Sequence, residues 1–223
     1  MGDVTGLKKK KIFIVDDHPV FRYGLSQLIK LEMGMMVCGE ADSAEKALPM
    51  IRDLNPDLVI VDIGLEGQSG LELTKDIVSF DRNIPVLIVS MFDELLYAER
   101  ALRQGARGYV MKQKTYETLI TAIKRILEGG IYLSDQISEK IINKIVAGGS
   151  SVEKTILTEL TDREIEVLRL IGNGKSTREI SKTLNLSVNT INTYRERIKV
   201  KLNLKNYLEL QKYAIHFMTK KEI

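Results

Sequence analysis

Five short apolar runs punctuate the first half of the chain: KIFIVD (11–16), MMVCGEA (35–41), DLVIVDI (57–63), PVLIVS (85–90) and GYVMK (108–112). Each is rich in Val, Ile or Met and bounded by turn residues, which predicts strands buried on both faces. Between them lie VFRYGLSQLIKLE, SAEKALPMIRDL, GLELTKDIVSF and DELLYAERALRQG, and TYETLITAIKRILEGG follows the last. These repeat apolar residues at i, i+3 and i+4, the signature of amphipathic helices. Pro49 inside the second calls for a kink or an early start. Strands alternating with helices predict an α/β doubly wound parallel sheet, ending near Gly129–Gly130.

The pattern then changes to helical periods alone. Residues 134–147 carry apolar side chains at 137, 141 and 145, and GGSS (148–151) reads as a flexible hinge. TDRE (161–164) and STRE (176–179) are capping boxes, a Ser or Thr N-cap with Glu three residues on. They predict helices over about 162–171 and 177–184, the first stopped by GNGK. LNLS makes a tight turn, and Ser187 caps a third helix over about 188–202. Two short helices, a turn and a longer helix form the helix-turn-helix plan. The expected organisation is therefore a domain over 11–130, a linker with a helix and hinge over 131–157, and an all-α domain over 158–220.

Charge sharpens this division. The net charge is only +3, but 14 of the 33 Lys and Arg and 9 of the 30 Asp and Glu fall in residues 151–223. That segment carries +5 and the preceding 150 residues carry −2, so the C-terminal part suits a polyanion. No apolar run approaches the roughly 20 residues that cross a bilayer. The basic and apolar start, MGDVTGLKKKKIFIV, is too short for a signal-peptide core. The one cysteine, Cys38, rules out an internal disulfide, fits a reducing cytoplasm, and reads as a buried strand residue. No membrane partner is expected.

In a doubly wound sheet, ligands bind beyond the carboxyl ends of the strands. Asp16 and Asp17 follow the first run, Asp62 lies near the end of the third, Ser90 follows the fourth and Lys112 the fifth. Taken singly, an Asp before a helix is an ordinary N-cap and a strand-end Lys is ordinarily solvated. Together they converge on one rim. Three carboxylates repel one another unless a cation joins them, and oxygen ligands at this density suit Mg²⁺. A hydroxyl and a lysine beside them suit phosphate oxygens. The set points to a phosphoryl group near a metal, with Asp62 as nucleophile. Neither His18 nor His216 has a partner at metal-ligand spacing.

Projected at about 100° per residue, the third helix of the C-terminal module puts Ile191, Ile198 and Leu202 on one stripe. Asn189, Thr193, Glu196 and Val200 lie opposite, flanked by Asn192, Arg197 and Lys199. Such a helix fits a major groove, where Asn pairs with adenine, Glu accepts from cytosine and a Thr methyl touches thymine. Arg195, Arg197, Lys199, Lys201 and Lys205 are candidates for phosphate contacts, which position without specifying. A solvated amphipathic helix is the plain alternative. The last helix, NYLELQKYAIHFM, is apolar on two sides, and Tyr207, Leu208, Leu210 and Ile215 are candidate contacts for a homodimer on DNA.

IFIVDDHPVFRYGL, LVIVDIGLEGQSGLEL, PVLIVSMFDE and ARGYVMK resemble the receiver domain of two-component response regulators over about residues 11–128. That resemblance implies a flavodoxin-like sheet in the order 2-1-3-4-5, with Asp62 accepting phosphate from a sensor histidine kinase. It implies Mg²⁺ held by Asp17, Asp62 and the backbone carbonyl of Gly64, with Asp16 helping through water. Ser90 and Lys112 would grip the phosphate, and Tyr109 would turn inward when Ser90 moves. The family's loop ordinarily has proline where this chain has Glu66, which adds mobility and negative charge. LTDREIEVLRLIGNGKSTREISKTLNLSVNTINTYRERIKVKLNLKN resembles the LuxR/NarL-type DNA-binding domain. There the base-reading positions correspond to Asn192, Thr193 and Glu196, with Tyr194 in place of the usual His. The combined expectation is a regulator of the NarL/FixJ type, not an enzyme. Two other classes remain open at this point: a Mg²⁺-dependent aspartyl phosphohydrolase, and a DNA-binding protein that ignores phosphate.

Overall fold

The computed structural model describes residues 9–146, 160–184 and 186–219. It divides into two compact units, one within residues 1–149 and one within 150–223. The GGSS hinge lies outside the described residues, as does Asn185 of the LNLS turn.

In the first unit the chain runs β1 (Lys10–Val15), α1 (Pro19–Leu31), β2 (Met35–Ala41), α2 (Ala44–Leu54), β3 (Leu58–Val61), α3 (Gly70–Phe80), β4 (Val86–Ser90), α4 (Glu94–Arg103), β5 (Gly108–Met111), α5 (Tyr116–Leu127) and α6 (Asp135–Val146). The strands form one parallel sheet in the order β2-β1-β3-β4-β5. Alternate strand residues face opposite sides. On one side Ile12, Ile14, Leu58, Ile60, Leu87, Val89 and Val110 pack with Leu25 and Ile29 of α1 and with Leu119, Ile120, Ile123 and Ile126 of α5. The other helices cover the opposite face, α2 against α3 and α3 against α4.

Every residue of β3 and β4 is buried, as the unbroken apolar runs predict. The edge strand β2 departs from that expectation. Only Met35 and Ala41 of its seven residues are buried, because an edge has a neighbour on one side only. Cys38 is consequently half-buried, and that burial lifts its thiol above the ordinary range. Pro49 sits inside α2 rather than ending it, in a helix whose N-cap is Ser43.

After α5 the chain returns along the sheet. Tyr132 N–H donates to the Arg107 carbonyl at 2.9 Å, and Tyr109 N–H donates to the Tyr132 carbonyl at 3.1 Å. This short parallel bridge to Gly108 satisfies backbone groups on the open edge of β5. Helix α6 follows and packs against α4, burying Ile137.

The second unit consists of α7 (Asp162–Gly172), α8 (Thr177–Thr183), α9 (Val188–Lys201) and α10 (Tyr207–Thr219). Both capping boxes form: Thr161 and Ser176 accept from the N–H of Glu164 and Glu179, whose carboxylates reach back to the cap residues. Ser187 caps α9 through Thr190 N–H. Gly174 takes a φ of +75° just past α7, the left-handed stop that GNGK supplies. The core joins Ile165, Leu168 and Ile171 of α7, Ile180 of α8, Ile191 and Ile198 of α9, and Leu210 and Ala214 of α10.

Candidate functional site

The first candidate site lies beyond the carboxyl ends of β1, β3, β4 and β5. Asp62 follows β3, and its carboxylate is 3% exposed. Ser90, the last residue of β4, donates its hydroxyl to Asp62 Oδ1 at 2.7 Å. Lys112, directly after β5, places Nζ 2.6 Å from Asp62 Oδ2 and 2.7 Å from Asp16 Oδ2. The same ammonium lies 4.4 Å from the centre of the Phe21 ring. Three strand ends therefore deliver the carboxylate, hydroxyl and cation that the sequence assigned to one rim.

Backbone geometry keeps Asp62 in place. Gly64 N–H donates to Asp62 Oδ1 at 3.3 Å. At Gly70, the first residue of α3, an added Cβ would fall 1.9 Å from the Asp62 carbonyl oxygen. Only glycine lets α3 begin this close to the strand end. Ser69 caps the helix by accepting from Leu71 N–H, and Gly70 N–H bonds back to the Ile63 carbonyl at 3.0 Å. Glu66 projects from the exposed part of this loop, between buried Leu65 and Gly67.

Asp16 and Asp17 complete the acidic rim. Burial first, and then the charge of Asp62, push the Asp16 carboxyl above its ordinary value. The bonds from Lys112 and from His18 N–H offset this only in part. Asp17 Oδ1 is shut off from water without a hydrogen bond. Its neighbour is His18 Nδ1 at 2.7 Å, a contact that is ionic only when the imidazole is protonated. Ligand atoms of Asp16, Asp17, His18 and Asp62 all lie within 4.8 Å of one another. A carboxyl whose neutral form is favoured by burial and by its neighbour's charge, in a cluster of ligand atoms this tight, fits a divalent cation, since Mg²⁺ would offset the repulsion. His18, which the sequence reading set aside as a ligand, stands at this rim. Its signal was adjacency to the Asp pair, which spacing rules for metal ligands pass over.

Tyr109 is fully buried, and its hydroxyl donates to the Phe92 carbonyl at 2.8 Å. Phe92 N–H in turn points at Ser90 Oγ at 3.5 Å, and the Phe92 ring stacks on Tyr97 with centroids 5.1 Å apart. Burial raises the Tyr109 phenol strongly, so it serves as a neutral donor. The ring already stands inward. An unbroken set of contacts thus runs from Asp62 through Ser90 and Phe92 to Tyr109.

The second candidate site is the outer face of α9. Asn189, Asn192, Thr193, Glu196, Arg197 and Val200 are exposed, opposite buried Ile191 and Ile198, as the helical projection predicts. Several basic residues expected on phosphate are instead engaged within the unit. Lys201 Nζ lies 2.6 Å from Glu164 Oε2, a carboxylate that is 1% exposed, so its charge is turned toward α7. Lys199 pairs with Glu196 at 2.8 Å. Arg195 bonds Thr177 and Asn192 and lies over the Tyr207 ring. Arg197 and Lys205 remain exposed.

On α10, Leu210 is fully buried and belongs to the core, which corrects its place among the dimer contacts. Alternation around the helix put it on the same side as Ala214, the side that closes on α7. Leu208 and Ile215 stay exposed, while Tyr207 offers only what Arg195 leaves uncovered.

Comparison with known proteins gives a consistent result. Residues 12–124 match the response regulator receiver domain, and residues 158–214 match the bacterial regulatory proteins of the luxR family. The chain is 34% identical over 209 residues to the oxygen regulatory protein NreC of Staphylococcus carnosus, covering 92% of this chain and 96% of that one. It is 33% identical over 205 residues to the response regulator GacA of Pseudomonas aeruginosa, covering 92% and 95%. Among solved structures, RcsB from Salmonella enterica serovar Typhimurium, bound to promoter rprA with the phosphomimetic BeF3−, superposes with a TM-score of 0.57. That match has 26% identity and covers 92% of this chain and 98% of the other.

Proposed function

The chain belongs to the response regulators that join a receiver domain to a LuxR-type DNA-binding domain, and from this premise we propose that Asp62 is the phosphoacceptor of a transcriptional switch. One observation carries the reading. The Asp62 carboxylate is buried between a hydroxyl at 2.7 Å and an ammonium at 2.6 Å, beside two further carboxylates. That is the surrounding a phosphoryl group needs on its oxygens.

In the proposed reaction an Asp62 oxygen attacks the phosphorus of a kinase phosphohistidine. The P–O bond forms as the P–N bond breaks, and the imidazole leaves. Lys112 and Ser90 then exchange the Asp62 carboxylate for phosphate oxygens. Asp16, Asp17, Asp62 and the Gly64 carbonyl would hold Mg²⁺, which would neutralise charge on the transferred group. Ser90 leaving Asp62 Oδ1 would also release the Phe92 N–H, and the Phe92 carbonyl accepts the Tyr109 hydroxyl. The signal is a shift between two states, favoured by whichever state lets Ser90 and Lys112 meet the phosphate.

The output is binding of double-stranded DNA by α9, with the protein acting as a homodimer that uses Leu208 and Ile215. RcsB bound to promoter DNA with a phosphomimetic supports this reading. Asn189, Asn192, Thr193 and Glu196 face base edges, and Arg197 with Lys205 meets phosphate. No turnover of an external substrate is proposed, since Gly64 stands where an aspartyl phosphohydrolase would carry its second carboxylate. Among the described residues, no helix is long and apolar enough to cross a membrane. A cytoplasmic location matches a partner kinase and DNA.

The test is DNA binding to a panel of random duplexes at fixed salt. It compares the unmodified chain, the chain with Mg²⁺ and beryllofluoride, and Asp62→Asn with the same additions. The mimic is expected to strengthen specific binding by roughly 5- to 150-fold in the wild type only, the usual range of coupling between sites. Equal binding in all three arms would reject the switch.

A further inference from the structure

Arg195 has the charge and helix position of a phosphate contact, but its surroundings are those of a built part. It lies midway along α9 and is half-buried. Its Nη1 donates to Thr177 Oγ1 at 2.7 Å and to Asn192 Oδ1 at 3.3 Å. Its guanidinium carbon lies 3.9 Å from the centre of the Tyr207 ring. Thr177 is the first residue of α8 and Tyr207 the first of α10. One planar cation thus ties three helices, using its edge for hydrogen bonds and its face for the aromatic ring.

We infer that Arg195 is a positioning residue that fixes what Asn192 offers to a base pair. This inference rests on the DNA-binding reading of α9. A free Asn carboxamide offers one acceptor and two N–H donors. Adenine is read by using both ends at once: Oδ1 accepts from the N6 amino group while Nδ2 donates to N7. Here Oδ1 already accepts from a cation, which leaves the two Nδ2 donors as the end of the amide without that engagement. A guanidinium beside it disfavours a second donor approaching from the base. Guanine presents two acceptors in the major groove, N7 and O6, whereas adenine presents one acceptor and one donor. The pair therefore selects guanine over adenine where Asn192 meets DNA, the reverse of what an unengaged Asn would choose.

Lysine at 195 would keep the charge and, like Nη1, could donate twice from one nitrogen, but it has no planar group to lie flat on the Tyr207 ring and be held there. The orientation of Asn192 depends on that geometry, not on the charge. The same logic separates Tyr207→Phe, which keeps the ring, from Tyr207→Leu, which removes it.

The test uses the full chain with beryllofluoride and Mg²⁺. A duplex is selected from a random pool, then remade with each of the four base pairs at every position. Affinities are measured over a range of salt for wild type, Asn192→Ala, Arg195→Lys, Arg195→Ala, Tyr207→Phe and Tyr207→Leu. Wild type is expected to favour guanine over adenine at one position by roughly 5- to 150-fold, the range of one good base contact. Asn192→Ala flattens that position alone. Arg195→Lys, Arg195→Ala and Tyr207→Leu move the preference there toward adenine, with the salt slope unchanged, and Tyr207→Phe keeps it. A preference for adenine in wild type overturns the inference. So does a uniform loss of affinity in Arg195→Ala with the salt slope reduced by about one, the mark of a phosphate contact. A wild type that selects no duplex rejects the DNA-binding reading itself, a separate result.

Discussion

Asp16 shows at the scale of one residue how this protein trades stability for chemistry. Its carboxyl is raised chiefly by burial and secondarily by Asp62. A raised carboxyl binds its proton more readily folded than unfolded. It therefore favours the fold below the unfolded value and penalises it as pH climbs through the folded one. Asp16→Asn removes the penalty while keeping an acceptor for His18 N–H. The metal-free variant is expected to melt higher than wild type at pH 7, by a few degrees. The gain shrinks as pH falls toward 4, and Mg²⁺ binding weakens. Thermal melts of both forms from pH 4 to 8 check this, and a lower-melting variant at pH 7 would contradict it. The repulsion among these carboxylates was legible in the chain, but the burial that outweighs it was not.

Helices α7 and α9 are joined by the Lys201–Glu164 pair, which turns a basic side chain of α9 toward α7. Glu164 closes the α7 capping box through Thr161 N–H at 2.7 Å and accepts from Lys201 at 2.6 Å. The capping box was written in TDRE, but the lysine 37 residues away was not. Lys201→Ala leaves a buried carboxylate without its cation, at a cost of roughly 1.5–3 kcal/mol, the value of a hydrogen bond to a charged group. Chemical denaturation should show that loss. The salt slope of DNA binding should stay at the wild-type value, whereas a phosphate-contacting lysine would lower it by about one. Arg195 teaches the same lesson. Sequence ranks basic residues on a helix face alike, and only tertiary contacts sort them into those that meet solvent and those that hold neighbours.

At the scale of the whole molecule, two cores stand where the hydrophobic pattern changes period. The first is a sheet sandwiched by helices, the second a helical cluster closed by α10 on α7. Each is filled by its own residues, so a cavity in one should be felt there. Ile123→Ala and Ile191→Ala each remove a fully buried side chain and are expected to cost about 2–5 kcal/mol. Amide hydrogen exchange should rise across residues 9–146 in the first variant and across 160–219 in the second. A rise in both units from either substitution would show that they share one cooperative core.

By itself the sequence determined every element, because burial on both faces of a strand and on one stripe of a helix leaves a period that survives in one dimension. It also determined which strand ends carry Asp16, Asp17, Asp62, Ser90 and Lys112, since a parallel sheet sends all carboxyl ends to one rim. Tertiary structure decided what each group does there. It set Lys112 between two carboxylates, brought His18 to the rim, and withdrew Leu210 into the core. It also turned Lys201 and Arg195 toward their own module. The physical reason is range. Periodicity and capping act over a few residues, whereas charge, desolvation and ring stacking act between groups that only the folded chain brings within a few ångströms.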